Sequence, residues 1–483
     1  MVNTKEKEGF ALLIALGIFA LVGHFVFSLV FYRERLMVDG SYMIFEMCND
    51  GWFPEAQNRY IIWLLDFLPV LAINLNLSLK TVIISWNVNY FLFYLICFCI
   101  ATFHLRSITA GWVIIGLRCF TTSTCFFNIA NEILPGGVLL VLLLTILVKK
   151  PAAKAALLFL AFFVAFGHLL VLVTLLLLVL YVFINARPIL LKTLRENKWL
   201  LGSFMLFIGI RMLLALNEPY ESGKLSLSVT AIESLTKHLN LTYITGLANL
   251  IRTAFPAVGI ISIILIAGLI AQKNYLQLVT AFALIGGYTL IWLLYTNPDL
   301  PESMNRFNHH LLRWLFPALF MILALFFSQV ALPLTKTSAG KYFILSLFLV
   351  FLTERFSSLY LDGARAENTI SQLQKLISYA RQSEHTKFYI PRSSTCPHVY
   401  VNDFYTATVI YSSLQGPDST RHIVLARGDE LNLVSSAGSD DYYLESDYIF
   451  SQKLLNPHYF KLKEEAYLPM RTSIDCSGMK IRY

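Results

Sequence analysis

The feature that most constrains this chain is a succession of long, nearly charge-free apolar segments across its first three quarters. Crossing a roughly 30 Å hydrocarbon layer takes about 20 apolar residues, and a backbone N–H in lipid has no water to bond, so such segments fold as helices. They fall at 9–32, 80–103, 110–128, 134–148, 155–166, 169–185, 199–216, 253–271, 276–295, 311–331 and 342–361, about eleven spans by this measure. Composition agrees: 57% of residues are hydrophobic and 14% charged, against about 25% charged in an ordinary soluble domain. A soluble globular enzyme is excluded. Charge, Gly, Ser and Pro rise to ordinary levels only after residue 361, which divides a membrane domain (1–361) from a soluble C-terminal domain (362–483).

Two stretches need arbitration. Residues 60–75 are apolar but short and carry Asp66 and Pro69, which suits a helix lying partly in the interface better than a span. Residues 155–185 are too long for one ordinary span, and Gly167-His168 at the midpoint marks two helices meeting at one face. With these choices the loops on one side carry Arg106, Lys149, Lys150, Lys154, Arg187, Lys192, Arg195, Lys198, Lys273, Lys336 and Lys341. The positive-inside rule makes that side cytoplasmic. The N-terminus is then cytoplasmic, and the odd number of spans carries the C-terminal domain outside, to the periplasm if the membrane is a bacterial inner membrane. The first apolar segment lacks a small-x-small cleavage site and reads as a retained anchor.

The net charge of +8 is scattered through short loops and forms no stripe, so no nucleic-acid partner is expected. The seven cysteines form no CxxC or Cys/His metal spacing; Cys396 and Cys476 are a candidate disulfide if the tail is in an oxidising compartment. In the tail, 366–382 reads as an amphipathic helix, and 388–391, 398–401 and 422–426 as strands, together a small α/β domain. GxSxG, Walker A, HExxH and a helix-opening GxGxxG are all missing from the sequence, which sets aside the chemistries those motifs carry.

Polar residues gather on the outer side. The first outer loop carries Asp39-Gly40-Ser41-Tyr42, then Glu46, Asp50 and Asn58-Arg59. A carboxylate at a membrane mouth suits a general base; Asp before Gly-Ser-Tyr equally suits a helix N-cap. Asn131-Glu132 and His168 sit between later spans, where a helix-start carboxylate and an interfacial polar tip are the plain structural readings. The densest cluster, Glu302, Asn305, Arg306, His309, His310, Arg313 and Trp314, borders the tenth span. Arginine forks grip phosphate oxygens bidentately, while Arg and Trp at an interface also serve as simple anchors.

The long first helix, the large first outer loop with Asp39 soon after the membrane exit, the half-inserted helix in that loop and the Arg313-Trp314-Leu315-Phe316-Pro317 helix entry resemble the GT-C superfold of lipid-phosphosugar-dependent glycosyltransferases. The resemblance implies an all-α polytopic membrane bundle with a small extracytoplasmic α/β domain. It implies Asp39 as catalytic base and Glu132 as helper base or metal ligand, with Arg59, His168, Arg306, His309, His310 and Arg313 on the donor. No cofactor is required, and a divalent cation (Mg or Mn) is the one left open, although no second Asp stands close to Asp39. Expected partners are a polyprenyl-phosphate-linked sugar donor, a glycan, lipid or protein acceptor of the cell envelope, and membrane lipids. The rival readings are a flippase or transporter of lipid-linked glycans, and an O-antigen polymerase or ligase. A transporter should show repeat symmetry and broken mid-membrane helices, whereas the polar residues here collect at one face.

Overall fold

The computed structural model describes residues 4–36, 39–54, 59–120, 132–217, 256–295, 307–391, 401–426, 441–445 and 448–470. Every apolar segment contains a helix. In chain order these are α1 (Thr4–Val30), α2 (Asp39–Asp50), α3 (Ile61–Leu65), α4 (Phe67–Asn74), α5 (Leu79–Cys99), α6 (Ile108–Cys119), α7 (Ile133–Lys149), α8 (Lys154–Ala165), α9 (Leu169–Glu196) and α10 (Lys198–Asn217). They continue with α11 (Pro256–Ala271), α12 (Tyr275–Tyr295), α13 (Phe307–Leu325), α14 (Ser338–Ala380) and α15 (Val401–Ser413). Five helical stretches are long and apolar enough to cross a membrane: Ala11–Val30, Leu79–His104, Leu169–Glu196, Leu315–Leu334 and Ser338–Ala380. Shorter apolar helices pack among them, and the whole is a membrane-type helical bundle.

Local chemistry sets the helix ends. The hydroxyls of Ser78, Ser107 and Thr337 accept the backbone N–H of Thr81, Ala110 and Gly340, each satisfying one donor that a helix start leaves open. In α9 the backbone leaves helical geometry at Ala186 (φ −148°, ψ 42°), two residues before Pro188, because proline removes an N–H and its ring crowds the preceding turn. The apolar segment ending at 185 stops at that kink. Glycines make notches for neighbouring aromatics, as small residues do between membrane helices. A Cβ at Gly23 would lie 2.3 Å from Phe356, one at Gly137 2.4 Å from Phe316, and one at Gly363 2.5 Å from Phe31.

Two ends of the bundle are distinguishable. At one, Lys150 meets His104 at 3.0 Å, Lys154 lies over the Trp199 ring and Gln272 donates to the Gln329 carbonyl. This is the lysine-rich end. At the other, Gly136 of α7 lies against Val171 of α9 and Ile61 of α3, and the Tyr60 ring stacks on Phe162 and leans on Phe166. The helices α3 and α4 cap this end as a broken pair and are not among the crossing helices.

The tail departs from expectation in one respect. α14 runs unbroken for 43 residues, about 65 Å at 1.5 Å per residue, so the expected boundary at 361/362 lies inside a helix. A change from apolar to charged side chains does not end a helix; a proline or a left-handed cap does, and neither occurs there. Beyond α14, β1 (Lys387–Pro391) lies between β2 (His422–Ala426) and β5 (Leu468–Pro469), all parallel. α15 makes the crossover that a parallel β1–β2 pair requires. Strands β3 (Tyr442–Glu445) and β4 (Tyr448–Ser451) pair antiparallel. Residues 398–400 of the second expected strand lie outside the described residues, as do Cys396 and Cys476, and Val401 opens α15. The unit docks on the first loop: Tyr411 donates to the Arg33 carbonyl (2.6 Å), Asn456 to the Cys48 carbonyl (2.8 Å) and Tyr459 to the Leu77 carbonyl (3.0 Å). Phe45 of α2 packs against Tyr443 and Phe460.

The sheet unit encloses a polar knot with a consequence for pH. The Tyr467 hydroxyl accepts the Leu444 N–H at 2.9 Å and is hydrogen-bonded to His422 Nδ1 at 2.6 Å. Buried Lys387 donates to the Tyr442 carbonyl at 2.7 Å and faces the rings of Tyr442 and Tyr467. Burial, and then the Lys387 charge, lower the His422 pKa to about 3. The unfolded chain binds this proton below about 6.5 and the folded one does not, so folded stability is complete above that pH and is lost as pH falls toward 3. Fluorescence-monitored unfolding should show the unit weakening by on the order of several kcal/mol across this window, and His422→Gln should flatten that slope; an unchanged slope would remove His422 as its source.

Candidate functional site

At the end covered by the C-terminal unit, Arg59 and Glu132 form an ion pair through Nη1 and Oε1. Their side chains are only 7% and 6% exposed. Arg59 precedes α3, where Tyr60 is held by the aromatic stack against α8; Glu132 immediately precedes α7. A charge pair this deep survives only where opposite charge and hydrogen bonds replace water.

Asp66 lies in the break between α3 and α4, 2% exposed. Its Oδ1 accepts the indole N–H of Trp86 at 2.5 Å, and the adjoining turn is held by Asn89, which donates to the carbonyls of Leu64 and Leu65. Burial is the main cause that pushes the Asp66 carboxyl up to about 8; the Trp86 bond opposes this and the Glu132 charge adds to it. Sequence reasoning used Asp66 only as evidence against a span. An acid inside an apolar stretch is itself the functional signal.

Behind these acids lies a group of cations. Arg35 is bonded to Asn87 and lies 5.7 Å from the Tyr90 ring, while Arg118 lies 5.1 Å from the Tyr94 ring. Arg355 donates from Nε to His24 Nε2 at 3.5 Å. His24 Nδ1 meets the Ala20 carbonyl at 3.0 Å, which only accepts, so Nδ1 carries the proton and Nε2 is free to accept from Arg355. All four basic residues are buried, in the helices and the loop that frame the first outer segment.

The expected site residues divide into three groups. Arg59 and Glu132 are brought together, and bonded to each other. His168 stands at the same end, where its Nδ1 accepts the Leu170 N–H at 3.2 Å and caps α9. Arg306 lies outside the described residues, as do the side chains of Asp39, His309, His310 and Arg313, whose backbones belong to α2 and α13. The start of α13 is nevertheless located, because Phe316, one turn after Arg313, fills the Gly137 notch, just over one turn after Glu132. Tyrosine rings of the soluble unit could stack on sugars, but Tyr405, Tyr442 and Tyr443 are buried in the unit's own core; Tyr400 lies outside the described residues. Among the described residues no group of three or more His, Cys, Asp or Glu could hold a metal ion. The two neighbouring acids have Arg59 among them, which fits a cation poorly.

No family model, curated protein or solved structure matches the chain.

Proposed function

We propose that this chain is a membrane glycosyltransferase that takes a sugar from a polyprenyl-phosphate carrier and passes it to an acceptor on the outer face. On this reading it is a GT-C-like bundle of eleven spans, with its lysine-rich end cytoplasmic. The observation that carries the proposal is the buried Arg59–Glu132 pair with Asp66 beside it, set at the end of an apolar bundle beneath a docked soluble unit. Charged side chains are expensive in such surroundings and mark functional sites by default. The lipid carrier reaches that end from the bilayer and the acceptor from water, so no nucleotide pocket is needed.

In the reaction, Asp39 takes the proton of the acceptor hydroxyl as its oxygen attacks the anomeric carbon. The bond from that carbon to the phosphate oxygen breaks, and the lipid phosphate leaves with the electron pair. Arg306, His309, His310 and Arg313 offset its charge, as cations do for departing phosphates. Arg59, Glu132 and His168, which stand at the same end of the bundle, would contribute to binding the donor. Purified protein in nanodiscs, given radiolabelled polyprenyl-phosphate sugars and envelope glycan acceptors, should move label to the acceptor. Failure with every hexose and pentose donor in a broad panel, by protein shown to be folded, would count against the reading.

A further inference from the structure

Asp66 and Glu132 are neighbours at the buried end of the bundle; Arg59 is paired with Glu132 and the buried Arg35 and Arg118 lie against Tyr90 and Tyr94, so no described cation is bonded to Asp66. With Arg59, Glu132 and Asp66 all ionised, the group would carry a net negative charge in a low-dielectric interior, where uncompensated charge is costly. Arg59 is committed to Glu132 by a direct bond. Asp66 has one described donor, the Trp86 indole on Oδ1, and its Oδ2 is buried with no hydrogen-bond partner among the described residues. An ionised carboxylate offers about four lone-pair sites, so a single donor leaves the anion poorly solvated. A proton on Oδ2 removes the charge and leaves the Trp86 bond intact.

We propose that Asp66 and the Arg59–Glu132 pair form one buried proton-binding site, in which a single exchangeable proton held on Asp66 Oδ2 sets the net charge of the group.

The surroundings fit a dedicated site. α5 contributes Trp86 and Tyr90, and Arg35 lies 5.7 Å from the Tyr90 ring. The turn before α7 contributes Glu132 and the segment before α3 contributes Arg59. The remaining residues of α3 and α4 are uncharged. α2, packed on α4, carries Asp39, Tyr42, Glu46, Cys48 and Asp50; Tyr42 and Asp50 are exposed, Glu46 is half-buried and Cys48 is buried. The consequence deepens the transferase reading: a reaction that depends on the Arg59–Glu132 pair becomes sensitive to occupancy of the Asp66 proton, and a step that loads negative charge at this end draws on that proton. The proton site itself does not depend on that reading.

Infrared titration of the full-length protein in nanodiscs tests this without reference to transfer. Aspartate-selective 13C labelling should reveal a protonated carboxyl band at neutral pH that disappears with a midpoint near 8. Asp66→Asn, which keeps an oxygen for Trp86, should abolish the band, and Glu132→Gln should lower its midpoint by removing a neighbouring negative charge. If Asp66→Asn fails to fold, the labelled native protein and Glu132→Gln still decide the matter. A midpoint in the ordinary aspartate range near about 4, or one that Glu132→Gln leaves in place, would overturn the proposal. Transfer without the band would remove the proton site alone, and the band without transfer would remove the transferase reading alone.

Discussion

Arg59→Ala is expected to destabilise the folded protein by about 3–5 kcal/mol, the cost of leaving one partner of a buried ion pair uncompensated. Glu132, 6% exposed on its side chain, would remain as an anion at the end of an apolar helix, next to a second acid in Asp66. Glu132→Ala should cost a similar amount from the other side, with the guanidinium stranded. The informative variant is the double replacement Arg59→Met with Glu132→Leu, which removes both charges, fills the volume and should recover most of the loss, because desolvation offsets much of what the pair contributes. Unfolding curves in detergent for the two single variants and the double variant measure this directly. Equal destabilisation in single and double variants would show that packing, and not charge compensation, holds this end of the bundle together.

The second large effect concerns chemistry. Asp39→Asn should lower sugar transfer by about 10²–10⁴-fold, the usual contribution of a positioned general base, with little change in donor KM. The fall should appear in kcat because the carboxylate acts on the acceptor proton in the transition state and not on the bound donor. Asn keeps the size of the side chain and its capping capacity at the start of α2, so unfolding midpoints should be nearly unchanged. A variant that folds and transfers sugar at the native rate would remove Asp39 from the mechanism and turn attention to Glu132.

Much of the architecture was legible from hydropathy alone because lipid permits so few backbone solutions. The short helices around Asp66, the meeting of α8 and α9 at Gly167-His168 and the stop at residue 185 each follow from a local signal: an acid within an apolar run, a glycine, a proline three residues on. The compositional division at 361/362 falls within α14, because side-chain polarity changes along that helix while its backbone does not. The partnership of Arg59 with Glu132 was not readable, since 73 residues separate them and only the folded bundle brings them together. Likewise Arg35, Arg118, Arg355 and His24 come from four separate segments, and each alone resembles a stray interfacial charge. The fate of the tail tyrosines depended on burial inside the sheet unit, which aromatic content does not disclose.

Under the proposed function, the lipid-linked substrate reacts at the end of the bundle that holds Arg59 and Glu132. A photoactivatable polyprenyl-phosphate analogue, crosslinked to the reconstituted protein and mapped by mass spectrometry, addresses it most directly. Adducts are expected near Tyr60, His168 and the first turns of α9 and α13, reduced by an excess of unlabelled carrier. Adducts confined to the apolar cleft at the lysine-rich end, lined by Leu13, Ile108, Trp112, Phe327 and Leu332, would contradict it.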